Sequence, residues 1–124
     1  MSKTYPPKIT VLVVEDEALI LWSTAQDLRD AGYEVLEAGN ADEALEILTA
    51  NPQISLLFTD VDMPGSMDGL KLSAAVASGW PPVKIIVTSG KTVLLPHQLP
   101  PEGRFMAKPY RSERVIAAMQ DMLR

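Results

Sequence analysis

The chain has no cysteine and a single histidine, His97, in 124 residues. Disulfides and thiolate metal centres are therefore excluded, and so is a metal held by several imidazoles. No apolar run approaches the roughly 20 residues that span a bilayer. The opening Met1-Ser2-Lys3-Thr4-Tyr5-Pro6-Pro7 has no apolar signal segment, so a cytoplasmic location without membrane contact is the default. Basic residues are the minority, 11 Lys and Arg against 16 Asp and Glu, and the net charge of −5 argues against a broad basic face for direct nucleic-acid binding. A metal bound here must be held by oxygen ligands, the chemistry of Mg2+, Mn2+ or Ca2+.

What is present fits one domain with one core. Residues 1–8 read as a loose polar leader and 9–124 as the domain. Ile9 to Val14 is an apolar, β-branched run, a first strand ending in Glu15-Asp16-Glu17. Ala18, Leu21, Ala25 and Leu28 then recur at helical spacing, with Gly32 as the C-terminal stop, which predicts a helix over 17–31. Tyr33 to Ala38 is a second strand. Asn40 with Glu43 opens a helix to about Ala50, and Ile54 to Thr59 is a third strand. A third helix opens at Met67-Asp68-Gly69-Leu70 and runs to about Ser78. Val83 to Thr88 is a fourth strand and Arg104 to Ala107 a fifth. Ser112 is expected to cap a last helix with Val115, Ile116, Met119, Met122 and Leu123 on one stripe.

Strands alternating with helices imply βαβ units and a parallel sheet. Five of them suit a flavodoxin-like doubly wound α/β fold, strand order 2-1-3-4-5. The segment 91–103 breaks the rhythm because Pro96, Pro100 and Pro101 fall where a fourth helix belongs, and an interior proline costs about 3 kcal/mol. At most a short helical turn around 92–95 is expected there, followed by irregular chain.

The strand ends carry the chemistry. In a parallel sheet the ends at Glu15-Asp16, Asp60, Thr88-Ser89 and Lys108 lie along one edge. Taken singly each has an ordinary reading: Asp60 before Pro64-Gly65 as a turn, the acids as a helix start, Lys108 as a surface lysine, Ser89-Gly90 as a turn. Their joint placement at four strand ends points elsewhere. Clustered carboxylates raise one another's pKa unless a cation sits among them, and a hard divalent ion such as Mg2+ resolves this. Lys108 as a point charge and Ser89 as a donor suit a phosphoryl oxyanion, with Asp60 a nucleophile able to form an aspartyl phosphate. His97, between Pro96 and Gln98 with no acid at ligand spacing, reads as a surface residue.

These motifs resemble those of a response-regulator receiver domain of two-component signalling over nearly the whole chain. They are Val13-Val14-Glu15-Asp16, Thr59-Asp60-Val61-Asp62-Met63-Pro64 with Met67-Asp68-Gly69-Leu70, Val87-Thr88-Ser89-Gly90, and Lys108-Pro109-Tyr110. The resemblance implies that Asp60 accepts a phosphoryl group from a histidine kinase or phosphotransfer protein. It implies Mg2+ bound by Asp16, Asp60 and the backbone carbonyl of Asp62, with Glu15 acting through water. Ser89 and Lys108 would contact the phosphoryl group, and Phe105 falls at the switch aromatic. Such a domain is a signalling switch acting on an unidentified downstream protein, and catalyses only its own phosphorylation and dephosphorylation.

Several departures stand out. Glu15 replaces the commoner Asp, and Thr88 is a rival to Ser89 as the switch hydroxyl. Gly65-Ser66 lengthens a loop by one residue, and the proline-rich 91–103 segment implies a remodelled output face that does not dimerise in the usual way. Asp62 and Lys91 flank the site as a candidate pair that tunes dephosphorylation. Met1 and the short leader favour a stand-alone receiver over a fragment of a longer regulator. Asp60-Val61-Asp62 also resembles the nucleophile motif of haloacid-dehalogenase phosphatases, but that family carries it on a first strand in a longer chain. A pseudo-receiver, a binding module with an unused site, is the remaining alternative.

Overall fold

The computed structural model describes residues 8–65, 67–91 and 93–124. The leader up to residue 7, Ser66 in the lengthened loop and Thr92 at the start of the expected helical turn lie outside the described residues.

Five parallel strands, β1 (Thr10–Val14), β2 (Glu34–Ala38), β3 (Ile54–Asp60), β4 (Lys84–Ser89) and β5 (Arg104–Ala107), form one sheet in the order β2-β1-β3-β4-β5. The expected doubly wound topology is present. β1 and β3 are apolar for most of their length because both of their faces are covered, and every β1 residue is buried. Side chains alternate across the sheet. Leu12, Val14, Leu57 and Val87 pack on one face against α2 (Ala41–Ala50) and α3 (Gly69–Gly79), while Val11, Val13, Phe58 and Ile86 pack on the other. That second face is covered by α1 (Ala18–Asp30) and α4 (Ser112–Met122).

The helix ends follow the sequence signals. The Asn40 side chain accepts from the Glu43 amide at 2.8 Å, and Asp68 accepts from the Lys71 amide at 2.9 Å, which satisfies otherwise orphaned donors at the starts of α2 and α3. Gly32, at φ +101°, ends α1: its amide bonds the Arg29 carbonyl and the Tyr33 amide reaches back to Leu28. This is a Schellman arrangement that needs a left-handed residue.

Two expectations change. Ser112 is the first residue of α4 and not its cap; the cap position is Arg111, which makes no side-chain capping bond. The Ser112 hydroxyl bonds the Asp27 carboxylate of α1 instead, which ties the start of α4 to the neighbouring helix. In the proline-rich segment the described helical turn is a 3-10 turn at Pro96–Gln98, and residues 93–95 of the expected turn are not helical. Proline is favoured in a first turn, where its missing N–H is no loss, so Pro96 starts the turn. The other described residues of the segment are irregular, with Leu94 buried in the α2/α3-side core and Val93 and Leu95 exposed.

Candidate functional site

Strand register assembles the site. Val14 lies beside Thr59, Asp60 beside Thr88, and Ser89 beside Ala107, so the C-terminal ends of the four strands β1, β3, β4 and β5 meet at one edge. Asp60 is the last residue of β3 and is 3% exposed, and Glu15 just beyond β1 is 4% exposed; Asp16 next to it is open to solvent. Carboxylate oxygens of Glu15, Asp16 and Asp60 lie within 4.8 Å of one another. The Lys108 ammonium sits among them, 3.0 Å from Glu15 Oε1 and 3.2 Å from Asp60 Oδ2. The Lys108–Pro109 peptide is cis, and the Lys108 amide donates to the Ser89 carbonyl at 3.0 Å.

Electrostatics follow from this packing. Burial, aided by the adjacent Asp60 carboxylate, pushes Glu15 up to about 7, although Lys108 pulls the other way. Desolvation alone would lower Lys108, but its hydrogen bonds and charge interactions with Glu15 and Asp60 outweigh it and raise the ammonium's pKa. One ammonium therefore does not fully compensate the carboxylates gathered here. An all-carboxylate donor set with residual negative charge fits a hard divalent cation such as Mg2+. Asp16, Asp60, Asp62 and Lys108 border a cleft of about 500 Å³ outside the strand ends.

The backbone around Asp60 is held firmly. The Asp62 amide donates to Asp60 Oδ1 at 3.1 Å, and the Val61 amide donates to the Thr88 carbonyl at 2.8 Å. A Cβ at Gly69 would lie 1.9 Å from the Asp60 carbonyl oxygen and 2.7 Å from Val61 Cα. Only glycine lets α3 start against the end of β3, and the sequence showed Gly69 as a helix opener without showing that contact.

The two rival hydroxyls separate. Ser89 Oγ donates to Asp62 Oδ2 at 2.6 Å and accepts from the Lys91 amide at 3.2 Å. By alternation Ser89 shares a face with Val87 and with Phe105, which is half-buried against the α2/α3-side core. Thr88 lies on the other face, buried, and its Oγ1 has no hydrogen-bond partner among the described residues. The expected pairing of Asp62 with Lys91 is absent: the Asp62 carboxylate turns to Ser89, and Lys91 contributes its backbone amide to the same hydroxyl. His97 is exposed in the 3-10 turn.

Sequence reasoning missed one connection. The Tyr110 hydroxyl and Thr24 Oγ1 of α1 are hydrogen-bonded at 2.8 Å, and the Tyr110 ring meets Phe58 edge-on with centroids 5.3 Å apart. Tyr110 belongs to the Lys108-Pro109-Tyr110 motif, but nothing in the sequence marks Thr24 as its partner. Together with the Ser112–Asp27 bond, it fixes the chain just after Lys108 onto α1.

The family model for the response regulator receiver domain matches residues 11–120. The chain belongs to that family. It is a receiver domain, a phosphorylation-dependent switch of two-component signalling. Receiver domains bind Mg2+ at an acidic pocket, and the Glu15, Asp16 and Asp60 group is this domain's acidic cluster.

The chain is similar to the sensor kinase CckA of Brucella abortus (strain 2308), at 32% identity over 92% of this chain and 12% of that protein. It is also similar to the transcriptional regulatory protein PdtaR of Mycobacterium tuberculosis (strain ATCC 25618 / H37Rv), at 32% identity over 89% of this chain and 54% of the relative. The receiver domain thus spans only part of both relatives. Among solved structures, the receiver domain of the hybrid histidine kinase CckA superposes with a TM-score of 0.80 at 32% identity, over 93% of this chain and 99% of that one. A response regulator receiver protein from Sinorhizobium medicae WSM419 gives 0.86 at 26% identity, with 94% of each chain covered. No described helix is long and apolar enough to cross a membrane.

Proposed function

We propose that Asp60 is the phosphoacceptor and that this receiver domain, over residues 9–124, takes a phosphoryl group from the phosphohistidine of a histidine kinase or phosphotransfer protein. The observation that carries the reading is the buried Asp60 carboxylate at the end of β3, 3.2 Å from the Lys108 ammonium and within one carboxylate cluster with Glu15 and Asp16. An Asp60 oxygen attacks phosphorus, the phosphorus–nitrogen bond breaks, and the imidazole, already protonated on its other ring nitrogen, keeps the bonding electron pair and leaves as the neutral base. Mg2+ held by Asp16, Asp60 and the Asp62 backbone carbonyl, with Glu15 reaching it through water, would neutralise charge on the transferring group. Lys108 is placed to balance a phosphoryl oxygen, and Ser89 to donate to another.

The consequence is a population shift in which Ser89 moves toward Asp60 and Phe105 reorients. The domain turns over no substrate beyond its own phosphoryl group, and Asp62 and Lys91, both bonded to the Ser89 hydroxyl, set how long that group persists. Its output passes to another protein, without nucleic-acid or membrane contact of its own, and we place it in the cytoplasm. The irregular 93–103 segment, with one 3-10 turn, supports an output face that differs from a helix-built one.

Intact-mass analysis after incubation with acetyl phosphate or phosphoramidate and Mg2+ tests the reading, with Asp60→Asn alongside. One added phosphoryl group, labile to hydroxylamine and missing from the variant, is expected. No adduct on the unaltered protein, with Mg2+ binding separately established, would leave a pseudo-receiver.

A further inference from the structure

We infer that the Asp62 side chain is a latch on Ser89 that holds the domain in its unphosphorylated arrangement. The inference rests on the reading of Asp60 as phosphoacceptor and Ser89 as the hydroxyl that contacts the phosphoryl group. A serine hydroxyl has one proton to donate, and here it is given to Asp62 Oδ2 at 2.6 Å. The acceptor is a carboxylate, so the bond is of the short, charge-assisted kind. The same proton cannot serve a phosphoryl oxygen on Asp60, so Ser89 must leave Asp62 before it can respond. Its oxygen also accepts from the Lys91 amide at 3.2 Å. Movement of Ser89 therefore disturbs the chain where the proline-rich segment begins.

Asp62 is tied to the acceptor as well, because its amide donates to Asp60 Oδ1 at 3.1 Å. One residue thus touches Asp60 with its backbone and Ser89 with its side chain. Its half-buried position at the cleft rim allows substitution without emptying the core, and the backbone carbonyl assigned to Mg2+ remains in every variant. The latch lowers the fraction of molecules competent to hold a phosphoryl group, and apparent affinity scales with that fraction.

Beryllium fluoride with Mg2+ is the probe, as a phosphoryl stand-in, followed by NMR on the unaltered protein, Asp62→Ala and Asp62→Asn. Asp62→Ala is expected to bind it about tenfold more tightly, a difference of roughly 1.4 kcal/mol. Before any addition, its Ser89 amide and Phe105 ring signals are expected to lie displaced toward their positions in the saturated protein. Asp62→Asn keeps an acceptor oxygen and loses the charge, so its unliganded signals are expected near those of the unaltered chain, with less gain in affinity. An Asp62→Ala spectrum that does not move, or equal tightening in both variants, would mean that Asp62 acts only by repulsion and would end the latch. An unaltered protein that takes up no beryllium fluoride with Mg2+ would instead remove the phosphoacceptor reading beneath it.

Discussion

The two sides of the sheet are built to different standards. β1 and β3 are buried almost throughout, and the helices that follow β2 and β3 begin at side-chain caps. On the other side β5 has no buried residue, its helix α4 starts without a side-chain cap, and between β4 and β5 stands a three-residue 3-10 turn. The acids Glu15 and Asp60 belong to the firm side. Lys108 belongs to the looser one, and Ser89, at the end of the well-buried β4, stands on the seam. Under the proposed function this division suits a switch: the acids are fixed where the core holds them, and Lys108 follows the strand with the least packing.

The same substitution made on both sides is the strongest way to break the comparison. Gly69→Ala drives a Cβ into the Asp60 carbonyl, with backbone on both sides of the clash. It is expected to cost about 3 kcal/mol or more in urea unfolding, at the top of the overpacking range. Next in size is a pH effect. With Glu15 raised from 4.5 to about 7, the native chain holds more protons than the unfolded one between those values. In EDTA, stability is therefore expected to fall as pH rises through that window, and Glu15→Gln is expected to remove this part of the slope. A flat profile in the unaltered protein would show that Lys108 compensates the acids fully.

Thr88→Val comes third. The hydroxyl it removes is buried without a partner among the described residues, so thermal unfolding is expected to show no loss, or a gain of up to about 1 kcal/mol. A loss well beyond that would reveal a partner for Thr88. Gly90→Ala closes the series: its Cβ would lie 3.4 Å from the Lys108 side chain, and a change within about 0.5 kcal/mol is expected. A large cost there would erase the distinction between the two sides.

The fold was legible because its signals are local. Hydrophobic period, the Asn40 cap and the Gly32 stop each depend on a few neighbouring residues, and the parallel sheet follows from their alternation. The acid cluster and Lys108 could be placed together because strand ends in such a sheet share one edge. What escaped depends on side-chain direction across long separations. Asp62 sits 27 residues from Ser89, and Thr24 sits 86 from Tyr110, distances over which sequence spacing says nothing. Ser112 looked like a cap because serine is a good one, but Asp27 on the neighbouring helix offered its hydroxyl a carboxylate.

The bond from Lys108 to Glu15 closes a loop of 93 residues, and it bears on how the chain is made. Synthesis delivers the acids with β1 and β3, and their ammonium only after β5. A nascent chain that has emerged only as far as β4 holds Glu15 and Asp60 without Lys108, so the site disfavours completing itself until the final strand arrives. A polypeptide released before residue 108 carries Glu15 and Asp60, but not the ammonium that bonds to both.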